Sequence, residues 1–324
     1  DDLSLRLAAQ RVIRELDSVV TYGSAGERAQ RISYQNIFFP EESRGFSNDY
    51  FEETQLSRWG EMLRTYYNAV TPQLWTQSDE IGFHPPIAPR VKLTAVLPQL
   101  AATIYNIKYR DGAEAIPDPD LDWSANFAHM IGKGEDEQYK ELCRLFSLIH
   151  ADQENGNASA HTAHLVNSTL SDLYYATSAG MNALAGPLHG RANQESLRWL
   201  QAILQRFDGL PTREQLENFA WETLNSGQVI PGYGHGVLRY TDPRFIVQYT
   251  FAEKYLPNDP IFQLAKLVYE VIPGVLMAHG KVKNPHPNVD AISGTLQHHF
   301  GVTQREFYTV LFGISRLMGL SVHA

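Results

Sequence analysis

Three stretches far apart in the chain each hold one ionisable side chain in a bend rich in glycine and proline. They are Ala185-Gly-Pro-Leu-His189-Gly190, Pro231-Gly-Tyr-Gly-His235-Gly236 and Lys283-Asn-Pro-His-Pro-Asn-Val-Asp290. Glycine and proline set backbone bends that other residues resist, so the side chain they flank is presented at a set angle. Two imidazoles and one carboxylate held this way can move protons on and off carbon and oxygen near neutral pH. Taken singly, each stretch also reads as plain structure: His189 and His235 as turn histidines, Asp290 as the cap of a following helix.

Other residues extend the set. Gly232 and Gly234 flank the second bend and would let backbone amides approach a phosphate or an adenine, although the spacing is not a dinucleotide fingerprint. Downstream, Arg239 and Arg244 offer planar guanidinium groups suited to carboxylate or phosphate, with a solvated face and an Asp-Pro turn as the competing reading. His150, His161, His164, His298 and His299 carry no partner pattern of the H-E-x-x-H kind, so no metal site is expected.

The elements that must position these groups are helical. Leu56, Trp59, Leu63, Tyr66, Tyr67 and Val70 recur at three- and four-residue steps. The same period runs through Leu197, Leu200 and Leu204, through Ile261, Leu264, Ala265, Val268 and Ile272, and through Phe307, Val310, Leu311, Ile314 and Met318. Breakers place loops at Phe39–Gly45, His84–Pro89 and Arg110–Asp122. A polar stretch, Asp152–Asn157, opens a helix expected to run through Leu170. A small-residue helix, Ser178–Ala185, leads into the first bend, and Ala192-Asn-Gln-Glu195 reads as a helix start. The fold class is mainly α.

The chain has 324 residues, 43% hydrophobic and 19% charged, enough to bury a substantial core in one or two domains. Its formal charge of −9 argues against a general nucleic-acid binder, and an anionic substrate would need a local arginine cluster. No run of about eighteen apolar residues exists, so no membrane span is expected. A single cysteine, Cys143, excludes an internal disulfide framework and lies in an apolar helical stripe, where a buried small hydrophobe is expected. The sequence starts at Asp1 without a Met or a signal-peptide pattern, which fits a processed or incomplete amino terminus.

With these residues in view, the chain resembles the citrate synthase family in its eukaryotic, mitochondrial-type branch. Ile149–Thr162 is similar to the family's "IHSDHEGGNVSAHT", Leu184–Glu195 to "LAGPLHGLANQE" and Pro231–Arg244 to "PGYGHAVLRKTDPR". Lys283–Asp290 resembles "KNPWPNVD", and Leu311–Arg316 resembles "LFGVSR". The resemblance runs from about Leu93 to Gly319. It implies a two-domain helical fold whose smaller domain closes over the active site, with residues 89–189 and 299–324 in the large domain, 190–298 in the small one, and 1–88 a divergent amino-terminal helical segment. It implies an acyltransferase of the tricarboxylic acid cycle that condenses acetyl-CoA with oxaloacetate in the mitochondrial matrix, with no permanently bound cofactor. A homodimer, or a place in a larger assembly, is implied as well.

Carried over by position, Asp290 matches the base that takes a proton from the acetyl methyl, and His189 the residue that hydrogen-bonds the thioester oxygen. His235 matches the residue that polarises the oxaloacetate carbonyl. Arg244, Arg316, Gln153 and Asn157 match the oxaloacetate-binding positions. Arg239 and the Val229–His235 loop, with Gly232 and Gly234, match the CoA-binding region. Gln153 stands where the family has histidine, Arg191 replaces an apolar or glycine position beside His189, and His286 replaces a tryptophan near Asp290. The family also continues past the position of Ala324 with a further arginine that reaches the partner subunit's substrate. These departures leave two alternatives: an impaired relative serving as a structural subunit of a mitochondrial assembly, and a methylcitrate or alkylcitrate synthase.

Overall fold

The computed structural model describes residues 87–151, 156–171, 173–186, 188–236 and 238–323. The periodic stripe at 56–70, the loop at 39–45 and Gln153 lie outside them. Every regular element among the described residues is helical, with one isolated antiparallel bridge between Tyr233 and Pro287. The helices are α1 (Ile87–Tyr109), α2 (Trp123–Ala128), α3 (Glu137–Ala151), α4 (Ala158–Asn167), α5 (Leu173–Leu184), α6 (Ala192–Arg206), α7 (Arg213–Asn225), α8 (Pro243–Tyr255), α9 (Pro260–His279), α10 (Asp290–His299) and α11 (Tyr308–His323). A π-helical turn, His129–Lys133, follows α2, and a 3₁₀ turn, Arg305–Phe307, precedes α11. The chain divides into two compact units: unit 1, which includes residues up to Ala185 and again from Val310, and unit 2, Gly186–Thr309.

In unit 1, α1 packs on α2 and α2 on α3. Asp122 organises this corner. Its carboxylate caps α2 by accepting from Ser124 N and Ala125 N at 3.0 and 2.9 Å, and it also accepts from Arg144 Nε of α3 at 2.8 Å. Cys143 lies buried on the inner face of α3, as its apolar stripe predicts, and burial pushes its thiol well above the usual range. Helices α4 and α5 lie against each other, and Ala160, Ala163 and Leu320 of α11 form a small core closed by Met181. Gly180 permits this approach: a Cβ there would come within 3.0 Å of Ser159 O and 3.1 Å of Ala163 Cβ.

In unit 2, α6 and α8 both pack on α10, while α9 packs against α6, α7 and α10. Helix α9 is the one described helix long and apolar enough to cross a membrane by length and composition. Its Ile261, Phe262, Leu264, Ala265, Val268 and Ile272 are instead buried in unit 2, the face its period predicts.

Two expectations need correction. The His84–Pro89 stretch is not wholly a loop, because α1 begins at Ile87. Proline is tolerated in a first turn, where the backbone N–H has no intrahelical acceptor. Helix α4 ends at Asn167, not Leu170, which takes a left-handed φ of 62° and is solvent-exposed.

The Asp122→Ala variant removes the α2 cap and one partner of a largely buried ion pair, leaving Arg144 only Glu141. A loss of about 2–3 kcal/mol is expected, read as a lower urea midpoint with an unchanged slope.

Candidate active site

Two loops of unit 2 carry His235, Arg244 and Asp290, and backbone and side-chain hydrogen bonds stitch them together. Gly234 N donates to His286 O at 3.1 Å, Asp242 N to Pro287 O at 3.1 Å, and Asn288 N to Gly232 O at 2.8 Å. Asn284 reaches across as well, donating to Tyr240 O at 3.4 Å while accepting from His286 N at 3.0 Å. Gly232 is required at its position. It has φ 77°, and a Cβ there would lie 2.5 Å from Ala291 Cα and 2.7 Å from Ser196 Oγ, so no larger residue lets the loop lie against the start of α10.

The centre of the seam is Asp242, fully buried at the amino end of α8. Oδ1 accepts from Arg244 N at 2.9 Å and Nε at 3.0 Å, and Oδ2 accepts from Arg244 Nη2 at 2.6 Å and from Val289 N at 3.1 Å. Burial alone would raise this carboxyl, but the Arg244 charge and the converging N–H donors outweigh it and hold the group below its ordinary value. Arg244 is itself buried, so its guanidinium has one orientation, set by a two-point contact.

His235 is half-buried beside this pair. Its Nδ1 accepts the N–H of Leu238 at 3.0 Å, so the neutral ring carries its proton on Nε2. Burial, and then the charge of Arg244, lower its pKa; Asp242 opposes this and Arg239 adds to it. The ring is thereby a neutral hydrogen-bond donor at pH 7.

Asp290 is the first residue of α10 and not its cap. Val289 holds the cap position without a side-chain bond, and Asn288 Oδ1 accepts the Asp290 N–H at 2.9 Å. Gln248 of α8 fixes the same segment by donating to Val289 O at 3.1 Å. His189 lies in the turn before α6, where its N–H meets Gly186 O and its carbonyl accepts from Ala192 N, both at 3.1 Å. The next residue, Gly190, accepts from Thr309 Oγ1 at 3.3 Å. Arg239 is exposed and folds back on its own loop, donating to Gly236 O and Leu238 O. Val229 is exposed, and Gly234 has φ 86°.

In unit 1, Arg316 is buried on α11 and stacks over Phe312 at 4.9 Å. It donates to His150 O at 3.1 Å, to Asn157 Oδ1 at 2.8 Å and to Ser159 Oγ at 3.1 Å. Asn157 also caps α4 through Ala160 N. The structure therefore gathers the expected residues in two sets: Arg316 with Asn157 in unit 1, and His235, Arg244 and Asp290 with the glycine loop in unit 2. Asp242, Asn284 and Asn288 escaped the sequence reading. Asp242 shows there only as an ordinary Asp-Pro turn, and an asparagine next to a proline carries no chemical signal of its own.

The family profile for the citrate synthase C-terminal domain matches residues 42–324. Citrate synthase 4, mitochondrial, of Arabidopsis thaliana is 54% identical over 230 residues, 71% of this chain and 48% of that protein. The chain thus spans about half the length of the curated relatives it matches. Among solved structures, citrate synthase from Thermotoga maritima superposes with a TM-score of 0.65 at 25% identity, covering 92% of this chain and 81% of that one. The citrate synthase of Thermoplasma acidophilum, solved as a ternary complex with carboxymethyl coenzyme A and oxaloacetate, shares the fold with a TM-score of 0.65 at 20% identity, over 91% of this chain and 81% of that one. With the profile covering the whole described region, the chain belongs to the citrate synthase family.

Proposed function

We propose that this chain condenses acetyl-CoA with oxaloacetate, giving citrate and free CoA. The observation that carries the reading is the stitched pair of loops, which holds a neutral Nε2–H donor, a pinned arginine and a carboxylate on one continuous seam. Support also comes from the Thermoplasma acidophilum structure, a complex of citrate synthase with carboxymethyl coenzyme A and oxaloacetate.

The chemistry follows from the groups. Asp290 takes a proton from the thioester methyl, a very weak carbon acid, while His189 hydrogen-bonds the developing enolate oxygen. The enol carbon attacks the keto carbon of oxaloacetate, and His235 donates through Nε2–H to the carbonyl oxygen as it gains charge. Arg244 and Arg316, already oriented by Asp242 and Asn157, neutralise the substrate carboxylates without reorganising. Water then cleaves the citryl thioester to citrate and CoA thiol. Arg239, Val229 and the Gly232–Gly234 loop serve the CoA, and Gln153 stands as an uncharged hydrogen-bonding group toward oxaloacetate. The proposed compartment is the mitochondrial matrix, which the mitochondrial relatives support.

For the partner we propose a second copy of the chain. Val96, Leu100, Ile104 and Ile107 form an exposed apolar stripe along α1, and Tyr174 and Tyr175 of α5 are exposed too. Sedimentation is expected to give a dimer that Ile107→Glu weakens; a monomer at micromolar concentration would remove this reading.

Thiol release from acetyl-CoA plus oxaloacetate tests the reaction. Asp290→Asn is expected to lower it by about 10³-fold with the helical circular dichroism unchanged. Folded wild-type protein without turnover would assign the chain a structural role instead, and faster release from propionyl-CoA would assign it to the methylcitrate branch.

The His235 imidazole is expected to titrate below the ordinary value of about 6.5. Because its folded pKa is depressed, stability present above that ordinary value is lost as pH falls through the folded one. Histidine-resolved NMR titration checks this; a midpoint above the ordinary value contradicts it.

A further inference from the structure

The Asn288 side chain ties the loop before His235 to the first residue of α10. Asn288 Nδ2 donates to Gly234 O at 2.9 Å, immediately before His235, and Asn288 Oδ1 accepts the N–H of Asp290 at 2.9 Å. Its backbone completes the bracket, N–H to Gly232 O at 2.8 Å and carbonyl from Ala291 N at 3.1 Å. Only one orientation of the amide satisfies both side-chain bonds, since a carbonyl can only accept and an N–H can only donate. Pro287 precedes it, bridged to Tyr233 and accepting from Asp242 N, so the bracket has little freedom to drift.

We propose that Asn288 is a positioning residue that sets the separation between the His235 donor and the Asp290 carboxylate. It makes the polarising group and the proton-abstracting group one rigid unit, although they lie 55 positions apart in the chain. Asp242 pins the arginine to the same segment through Val289. Asn288 links the backbone of one loop to the first helical N–H of α10 through a single amide. The kinetic consequence rests on the condensation reading; the geometric one does not.

The test compares the unsubstituted protein with Asn288→Ala and Asn288→Asp. In Asn288→Ala, turnover is expected to fall about 100-fold while KM for oxaloacetate moves by less than about threefold, the signature of misplaced reacting groups. Two readouts need no activity. The Asp290 amide is expected to exchange at least about tenfold faster in Asn288→Ala as its acceptor is lost. Nitrogen-15 shifts of His235 are expected to change from a single Nε2–H tautomer to a mixture. Asn288→Asp is nearly isosteric and keeps the acceptor. It is expected to retain Asp290 amide protection and lose the His235 signature, which preserves the test if the alanine variant does not fold. An unchanged His235 spectrum and unchanged Asp290 exchange in the folded variants would overturn the proposal. Absence of thiol release in the wild type, with both spectroscopic changes present, would overturn the condensation reading and leave the bracket standing.

Discussion

A carboxylate in a protein interior is unstable unless cations and N–H donors replace its water. Asp242 meets that demand with three donors of Arg244 and the amide of Val289. Each partner it needs is a part of the candidate site: the arginine that would hold a substrate carboxylate, and the residue just before Asp290. The desolvation of one group thereby constrains the geometry of the others. Removing Asp242 would leave a buried guanidinium without its counter-charge, a cost far above that of an exposed pair.

The same logic orders the charges around His235. Burial, and then Arg244, favour the neutral ring, and the Leu238 amide selects which nitrogen carries the proton. A charged imidazole would be a stronger acid, but a neutral one needs no change of protonation before donating to a carbonyl oxygen. In unit 1 a comparable economy appears at Arg316, whose bonds to Asn157 and Ser159 tie it to the first turn of α4. There the helix cap and the arginine share one amide oxygen, so forming the helix and orienting the arginine are one event.

Much of this was legible from the residues alone. The periods of α6, α9 and α11 identify their buried faces, because apolar residues at three- and four-residue steps have one way to leave water. The glycine and proline bends marked His189, His235 and Asp290, and in the second of them Gly232 and Gly234 adopt the left-handed φ values of 77° and 86° that favour glycine. The ends of α1 and α4 were misjudged for a local reason: proline is admissible in a first turn, and Leu170 adopts a left-handed conformation that its side chain gives no hint of. Asp290 illustrates a subtler limit. An acidic residue before a helix reads as its cap, yet the neighbouring Asn288 takes the bond to its amide.

Residue type and spacing thus determine which groups are present, which helices carry them and the family to which the chain belongs. They do not determine which groups share a proton or a charge. The tautomer of His235, the orientation of Arg244 and the bracket between Gly234 and Asp290 depend on hydrogen bonds between residues tens of positions apart. Such bonds are directional over a few tenths of an ångström, and only the folded chain sets distances that finely.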